Sequence, residues 1–209
     1  MLTIAIVSQK GGSGKTTLAI HLAVCATNHD KVACVIDTDP QASAAAWGDW
    51  RGDFVPEVIT TPPVRLAKTI QTVAAAGAQV AVIDTPPHAD AAAREAVKAA
   101  DLVLIPTRPR AFDLHAIGAT AEMVNHAGRR AFVVFNAVSP RATRQLADAA
   151  RIVEAHGLAV CPLHLGDRAA FHQPAGTGEV ACEINAESKA AQEIEALWKW
   201  ISLECRQPN

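Results

Sequence analysis

The stretch that most constrains the architecture reads Lys10-Gly11-Gly12-Ser13-Gly14-Lys15-Thr16-Thr17. An apolar run, residues 2–7, precedes it, and a helical pattern, residues 18–26, follows it. A strand, a glycine-rich turn and a helix in this order form a phosphate cradle, because the turn brings backbone N–H groups around an anion and the helix N-terminus adds a positive dipole. Lys15 can then reach the β- and γ-phosphates of a nucleotide, and the Thr16 hydroxyl can bind Mg²⁺. A glycine-rich turn without a ligand is the alternative, and the agreement of motif and flanking elements disfavours it.

Composition indicates a folded chain with little net charge. The chain has 209 residues, half of them apolar, which suits one α/β domain over residues 1–209. Its 19 basic and 21 acidic residues give a net charge of −2, so any contact with DNA requires a local basic patch. The best candidates for such a patch are Arg141, Arg144 and Arg151, whose spacing places them along one helical face; a solvated helix face is the alternative.

Short apolar runs alternate with helical patterns along the whole chain. This alternation predicts a doubly wound, mostly parallel sheet flanked by helices. The runs span residues 2–7, 32–36, 80–83, 102–105, 131–135 and 158–163. The clearest helical patterns that follow the phosphate loop and its helix span residues 63–76, 89–99, 113–127, 141–156 and 186–204.

The five cysteines and the lack of long apolar runs predict a reduced, soluble, cytoplasmic protein. No two cysteines have C-x-x-C spacing, and Cys25, Cys34 and Cys161 lie in apolar stretches, which favours buried thiols over disulfides. The chain shows no N-terminal signal peptide, and no apolar run approaches the roughly 20 residues that a membrane span needs.

Polar side chains follow three of the predicted strands. Asp37 and Asp39 follow the second strand, Asp84 follows the third, and Asn136 follows the strand at residues 131–135. Ligands bind at the carboxyl ends of parallel strands, so these carboxylates are placed to meet Mg²⁺ or an attacking water. An amide such as Asn136 offers a donor and an acceptor to an adenine edge. A plain Asp-Pro turn with a capping role is the alternative for Asp37 and Asp39, an ordinary strand that ends in Asp is the alternative for Asp84, and a turn-forming role is the alternative for Asn136.

These motifs resemble the deviant Walker A loop of the ParA/MinD ATPases. Lys10 stands at the start of the loop, Gln9 replaces the usual first glycine, and the sequences D-T-D-P-Q at 37–41 and D-T-P-P at 84–87 match the same family. The resemblance implies ATP and Mg²⁺ as cofactors and a homodimer that sandwiches two ATP molecules, with Lys10 crossing to the partner's phosphates. It implies catalytic roles for Lys10, Lys15 and Asp39, with Asp39 positioning the attacking water.

The same resemblance assigns the remaining contacts. The metal would be held by Thr16, Asp37 and Asp84. The nucleotide would be bound by Gly11, Gly12, Ser13, Gly14, Lys15, Thr16, Thr17, Asn136 and Arg168. Arg168 lies in a later loop, residues 162–178, which resembles the family's final loop near the base. Arg108 and Arg110 depart from the family's small polar residues, and the sequence leaves open whether they pair with Asp113 or face a partner subunit.

The chain resembles short ParA-type plasmid partition ATPases without an N-terminal helix-turn-helix domain. This implies a nucleoid-associated ATPase that binds DNA non-specifically and drives plasmid or chromosome partition with a ParB-like centromere-binding protein. A MinD-like membrane-associated regulator and a metabolic enzyme of the dethiobiotin synthetase type are the alternatives. Residues 187–204 lack the basic amphipathic character of a membrane anchor, so Trp198 and Trp200 are expected to pack on the body of the protein.

Overall fold

The computed structural model describes residues 1–52, 55–88, 90–172 and 177–206, and the strands in these ranges form one parallel sheet. The strands are β1 (Leu2–Ile6), β2 (Ala33–Asp37), β3 (Glu57–Thr60), β4 (Val80–Asp84), β5 (Leu102–Thr107), β6 (Ala131–Phe135) and β7 (Ala159–Val160). Their order is β3-β2-β4-β1-β5-β6-β7, and every neighbouring pair is parallel. β1 lies between β4 and β5, so the chain winds outwards from it on both sides. The doubly wound parallel fold is confirmed.

Helices cover both faces of the sheet. They are α1 (Lys15–Asn28), α2 (Ser43–Arg51), α3 (Leu66–Ala75), α4 (Asp90–Ala99), α5 (Ala111–His115), α6 (Ile117–Ala127), α7 (Thr143–Ala155), α8 (Ala181–Ile184) and α9 (Lys189–Glu204). Successive residues of β1, and Val7 directly after it, alternate between the faces. Ile4 and Ile6 pack with α1, α2, α8 and α9, whereas Ala5 and Val7 pack with α3, α4, α6 and α7. Both faces of the central strands are therefore buried, which is why they appear as continuous apolar runs.

Several element boundaries differ from the prediction. β3 was not predicted because it is a four-residue edge strand in which only Val58 and Ile59 are half-buried, so it has no continuous apolar run. α2 was also not predicted as an element. The helix predicted over residues 113–127 is two helices that meet at Ala116, and the one predicted from Arg141 begins at Thr143. Part of the predicted pattern at 89–99 and part of the loop at 162–178 lie outside the described residues.

The C-terminal helix packs against the sheet as predicted. Trp198 is buried, and the Trp200 ring meets the edge of the Phe132 ring with 4.8 Å between centroids. Cys25, Cys34 and Cys161 are buried free thiols, in agreement with the sequence. Among the described residues, no helix combines the length and apolar character needed to cross a bilayer.

Candidate nucleotide-binding site

The phosphate loop joins β1 to α1 at the carboxyl edge of the sheet. Gly12 and Gly14 have φ values of 69° and 90°, in the left-handed region that glycine adopts without a Cβ clash. Gly14 is the N-cap of α1 and gives that helix no side-chain cap. The N–H groups of the first turn, including that of Thr17, therefore have no acceptor within the helix and are available to an anion.

Asn136 supports this loop from the end of β6. Its Nδ2 donates to the Ser13 carbonyl at 2.9 Å, and its Oδ1 accepts from the N–H of Ala137 at 2.7 Å. A Cβ on Gly14 would lie 2.1 Å from Nδ2 of Asn136, so the loop and the amide fit together only with glycine at this position. Asn136 thus lies at the phosphate loop, and its contact with adenine stays a prediction.

The two lysines of the loop are adjacent but differ in environment. Lys15 is buried, and its Nζ donates to the Lys10 carbonyl at 3.3 Å. Burial lowers the pKa of Lys15, while the carboxylates of Asp84 and Asp39 act in the opposite direction. The Lys10 side chain is half-exposed at the start of the loop. Only Lys15 therefore lies inside the cradle of its own subunit, and the role of Lys10 across a dimer stays a prediction.

Thr16 and Asp84 form the candidate metal-binding pair. The Thr16 hydroxyl donates to Oδ2 of Asp84 at 2.6 Å, and Asp84 is fully buried at the end of β4. Burial raises the pKa of Asp84 to about 7, although the Thr16 hydrogen bond lowers it in part. Oδ1 of Asp84 and Oγ of Ser13 are buried and have no hydrogen-bond partner in the described structure. Such unpaired oxygens beside a phosphate cradle fit Mg²⁺, which prefers oxygen ligands.

Asp37 is adjacent to Asp84 because β2 pairs with β4 in a register that aligns the two residues. Its carboxylate accepts backbone hydrogen bonds from Asp39 at 2.9 Å, Ala44 at 3.0 Å and Ala45 at 3.1 Å. The Asp37 carboxylate therefore holds the N-terminus of α2. The sequence did not predict this contact because it did not predict α2. Burial raises the pKa of Asp37, and these N–H groups oppose that shift. A direct role for Asp37 in the metal shell stays a prediction.

Asp39 lies two residues beyond the end of β2 and is only partly buried. Its Oδ1 accepts from the N–H of Gln41 at 2.8 Å, which fixes the turn that leads into α2. The other carboxylate oxygen is available to orient a water, so the position is compatible with the predicted catalytic role.

Arg168 and Arg108 make contacts that the sequence alone did not predict. Arg168 forms an ion pair with Glu193 of α9 at 2.6 Å, and the N–H of Gly166 donates to the same carboxylate at 2.9 Å. A base contact by Arg168 stays a prediction and would require it to leave Glu193. Arg108 reaches the phosphate loop: its Nη2 is 4.0 Å from the position of a Cβ on Gly12, and its buried Nε has no partner in the described structure.

Comparison with known families now adds to the geometry. A family model described as the CobQ/CobB/MinD/ParA nucleotide binding domain matches residues 4–179. The chain belongs to this family. The family resemblance seen in the loop sequence is therefore confirmed.

Relatives with related names cover most of the chain. The Maintenance of carboxysome distribution protein A of Gloeobacter kilaueensis is 35% identical over 163 residues, or 74% of this chain and 72% of that protein. The protein of the same name from Halothiobacillus neapolitanus is 29% identical over 208 residues, or 93% of this chain and 94% of that protein. Protein ParA of Rhizobium radiobacter is 33% identical over 151 residues, or 67% of this chain and 66% of that protein.

Solved structures share the fold at low sequence identity. The MinD cell division protein of Aquifex aeolicus superposes with a TM-score of 0.79 and 17% identity, covering 100% of this chain and 99% of that one. MinD of Pyrococcus horikoshii, which was solved in complex with Mg-ADP, superposes with a TM-score of 0.76 at 18% sequence identity. The match covers 98% of this chain and 97% of that one. At this identity the likeness shows the fold alone.

Proposed function

We propose that this chain is a Mg²⁺-dependent ATPase of the ParA/MinD type that positions a cargo on DNA. The observation that carries the proposal is the 2.6 Å hydrogen bond between Thr16 and the buried Asp84, beside Lys15 in the phosphate cradle. When bound, Mg²⁺ neutralises charge that develops on the transferring phosphoryl group.

The protein's own groups then have distinct tasks in hydrolysis. The loop N–H groups and Lys15 bind the β- and γ-phosphates, and Thr16 and Asp84 hold the metal. Asp39 orients the attacking water for in-line displacement. Asp37 supports Asp39 because its carboxylate accepts a hydrogen bond from the backbone N–H of Asp39.

Arg108 is a further cation for this site. It reaches Gly12 from the β5–α5 connection, and its buried Nε has no hydrogen-bond partner among the described residues, so the guanidinium retains a donor for an anion. A bound phosphate would supply that anion, because guanidinium groups bind phosphate oxygens in a planar fork. We expect Arg108→Ala to weaken ATP binding, and Arg110→Ala, which removes an exposed neighbouring cation, to serve as its control.

ATP binding would join two subunits. In this proposal Lys10, half-exposed at the rim of the loop, contacts the phosphates held by the partner subunit. The dimer would then create a continuous basic surface that the monomer, with a net charge of −2, lacks. Non-specific DNA binding would place the protein on the nucleoid, and a ParB-like partner protein would stimulate hydrolysis and release.

The names of the relatives favour two kinds of cargo. Protein ParA supports plasmid or chromosome partition, and the two Maintenance of carboxysome distribution proteins support positioning of a large intracellular body by the same type of ATPase. A membrane-associated regulator is less well supported, because the tryptophans of α9 are used in packing against the sheet. A metabolic enzyme of the dethiobiotin synthetase type has no support from the names of these relatives.

The deciding experiment measures binding to two DNA fragments of unrelated sequence with ATP, with ADP and without nucleotide. We expect equal binding to both fragments that requires ATP and Mg²⁺ and disappears in Lys15→Ala. Turnover of ATP is measured in parallel. Turnover without DNA binding in any nucleotide state would overturn the DNA part and leave the ATPase assignment intact, whereas absence of both would overturn the proposal.

A further inference from the structure

A second cluster of metal-binding side chains lies at the far end of α1. Cys25 lies in the last turn of α1 and His29 is the residue that follows the helix, four positions later; both contact Glu195 of α9. The Cys25 thiol donates to Oε2 of Glu195 at 3.4 Å, and Nε2 of His29 is 2.9 Å from both carboxylate oxygens. The three ligand atoms lie within 4.8 Å of one another. Cys25 is ten residues beyond Lys15, about 15 Å along the helix axis, so the cluster is separate from the phosphate site.

We propose that Cys25, His29 and Glu195 bind a divalent, thiol-seeking transition metal, with Zn²⁺ as the representative ion. A thiolate, an imidazole and a carboxylate are the three side-chain ligands that Zn²⁺ accepts. The i, i+4 spacing of Cys25 and His29 places two ligands on one helix face, and α9 supplies the third from the opposite side. The site goes beyond the ATPase function and needs no nucleotide.

The geometry of the cluster suits the ion. Zn²⁺ takes sulfur at about 2.3 Å and nitrogen or oxygen at about 2.0–2.2 Å, so ligand atoms in a tetrahedral site are about 3.5 Å apart. Nε2 of His29 is 2.9 Å and Sγ of Cys25 is 3.4 Å from the Glu195 carboxylate, and no two of the three ligand atoms are more than 4.8 Å apart. These distances lie around the tetrahedral value. The three ligand atoms are therefore already close to the spacing of a tetrahedral site.

The surroundings allow the ion to enter. Cys25 is buried, whereas the side chains of His29 and Glu195 are each 37% exposed, which leaves the fourth coordination position to water. Lys199 also contacts Glu195 at 3.1 Å, but its side chain is 64% exposed and can turn into solvent. Cys182 is nearby and accepts a hydrogen bond from Asn28.

Metal binding would release the thiol proton of Cys25 to solvent, because the thiolate is the ligand. Burial raises the pKa of the Cys25 thiol far above its usual value, and the carboxylate of Glu195 adds to this shift. Because protons compete with the metal ion for the thiolate, we expect metal affinity to increase with pH. The groups that face Cys25 and contribute to its titration are Glu195, Cys182 and Lys199.

The test is a titration of the nucleotide-free full chain with Co²⁺, a coloured substitute for Zn²⁺, followed by displacement with Zn²⁺. We expect one Co²⁺ per chain, with visible bands of tetrahedral intensity and a thiolate-to-cobalt charge-transfer band. Cys25→Ser should abolish the charge-transfer band. His29→Gln and Glu195→Gln each change a half-exposed side chain. Loss of a residue that only supports a metal ligand typically weakens metal binding by about 10- to 100-fold, and loss of either of these direct ligands should weaken it by more.

Cys34→Ser and Cys161→Ser are matched controls, since each removes a buried thiol elsewhere in the fold. Both should leave the spectrum unchanged. The phosphate site offers only oxygen ligands, so Co²⁺ bound there gives no thiolate band and cannot imitate the result. Absence of the band in the parent, its persistence in Cys25→Ser, or full affinity in both His29→Gln and Glu195→Gln would overturn the proposal without affecting the ATPase assignment.

Discussion

Asn136 and Ser13 are 123 residues apart in sequence and joined by a 2.9 Å hydrogen bond from the side-chain amide to the loop carbonyl. This contact links the end of β6 to the phosphate loop at the carboxyl edge of the sheet. Because the same amide nitrogen occupies the space that a Cβ on Gly14 would need, the conformation of the loop depends on both residues.

Gly14→Ala should disable the loop through two separable effects. The methyl group would lie 2.1 Å from Nδ2 of Asn136, and a φ of 90° costs a residue with a Cβ about 1–2 kcal/mol. Calorimetry should show strongly reduced ATP affinity. The double variant Gly14→Ala/Asn136→Ala removes the clash but keeps the backbone strain and loses the hydrogen bond to Ser13, so it should recover only part of the affinity. Equal affinity in Gly14→Ala and the parent would contradict the described loop.

Lys15→Ala and Lys10→Ala should separate binding from dimerisation. Loss of the buried Lys15 charge should reduce nucleotide affinity by about 2–3 kcal/mol, or roughly 100-fold. Lys10→Ala should keep nucleotide binding as a monomer and lose ATP-dependent dimerisation and turnover. Calorimetry and sizing by light scattering measure the two effects. A Lys10→Ala protein that dimerises with ATP and turns over normally would refute the trans role.

Asp39→Ala should trap the ATP-bound dimer, because the water-orienting carboxylate is lost while the phosphate cradle survives. Asp39→Asn is the matched variant, since its amide oxygen can still accept the hydrogen bond from Gln41 that fixes the turn. Both variants should form a long-lived dimer by light scattering and lose ATP turnover. Unchanged turnover would move the catalytic role elsewhere, with Asp37 as the next candidate.

DNA binding should depend on Arg141 and Arg144, which are exposed and border the same surface cleft as Pro109. Each Arg→Ala change should lower the slope of log affinity against log salt by about one and weaken all sequences alike. Arg151 pairs with Asp148 at 3.3 Å, so Arg151→Ala is a control with a smaller expected effect. Parent-like slopes in both Arg141→Ala and Arg144→Ala would place the patch elsewhere.

His21 should make stability depend on pH. It is fully buried between the Thr17 carbonyl and the N–H of Ala181, and burial lowers its pKa from 6.5 to about 4. The unfolded chain then binds more protons between these values, so stability should fall as pH decreases from about 6.5 to 4, by up to about 3 kcal/mol.

Urea unfolding of the parent and of His21→Gln across this pH range isolates the His21 contribution. Other titrating groups, including Asp84, are common to both proteins and cancel in the difference. The parent should lose stability more steeply towards low pH than the variant. Parallel curves would show that His21 is not held neutral by burial.

The sequence by itself determined the elements whose signals are local. The loop at 10–17 needs a strand before it and a helix after it, and the central strands are apolar throughout because both of their faces are buried. The positions of Asp37, Asp84 and Asn136 at strand ends could likewise be predicted, since parallel strands bring their carboxyl ends to one edge.

Only the tertiary structure decided which of these side chains meet. Strand register sets Asp37 beside Asp84, and α2 then takes the Asp37 carboxylate as its cap. The pairing of Arg168 with Glu193 and the approach of Arg108 to Gly12 also join segments that are distant in sequence. The local periodicity of the sequence does not predict such contacts, because they depend on how the helices and strands pack against one another. The half-exposed edge strand β3 was missed for the same reason: its stability comes from pairing with β2.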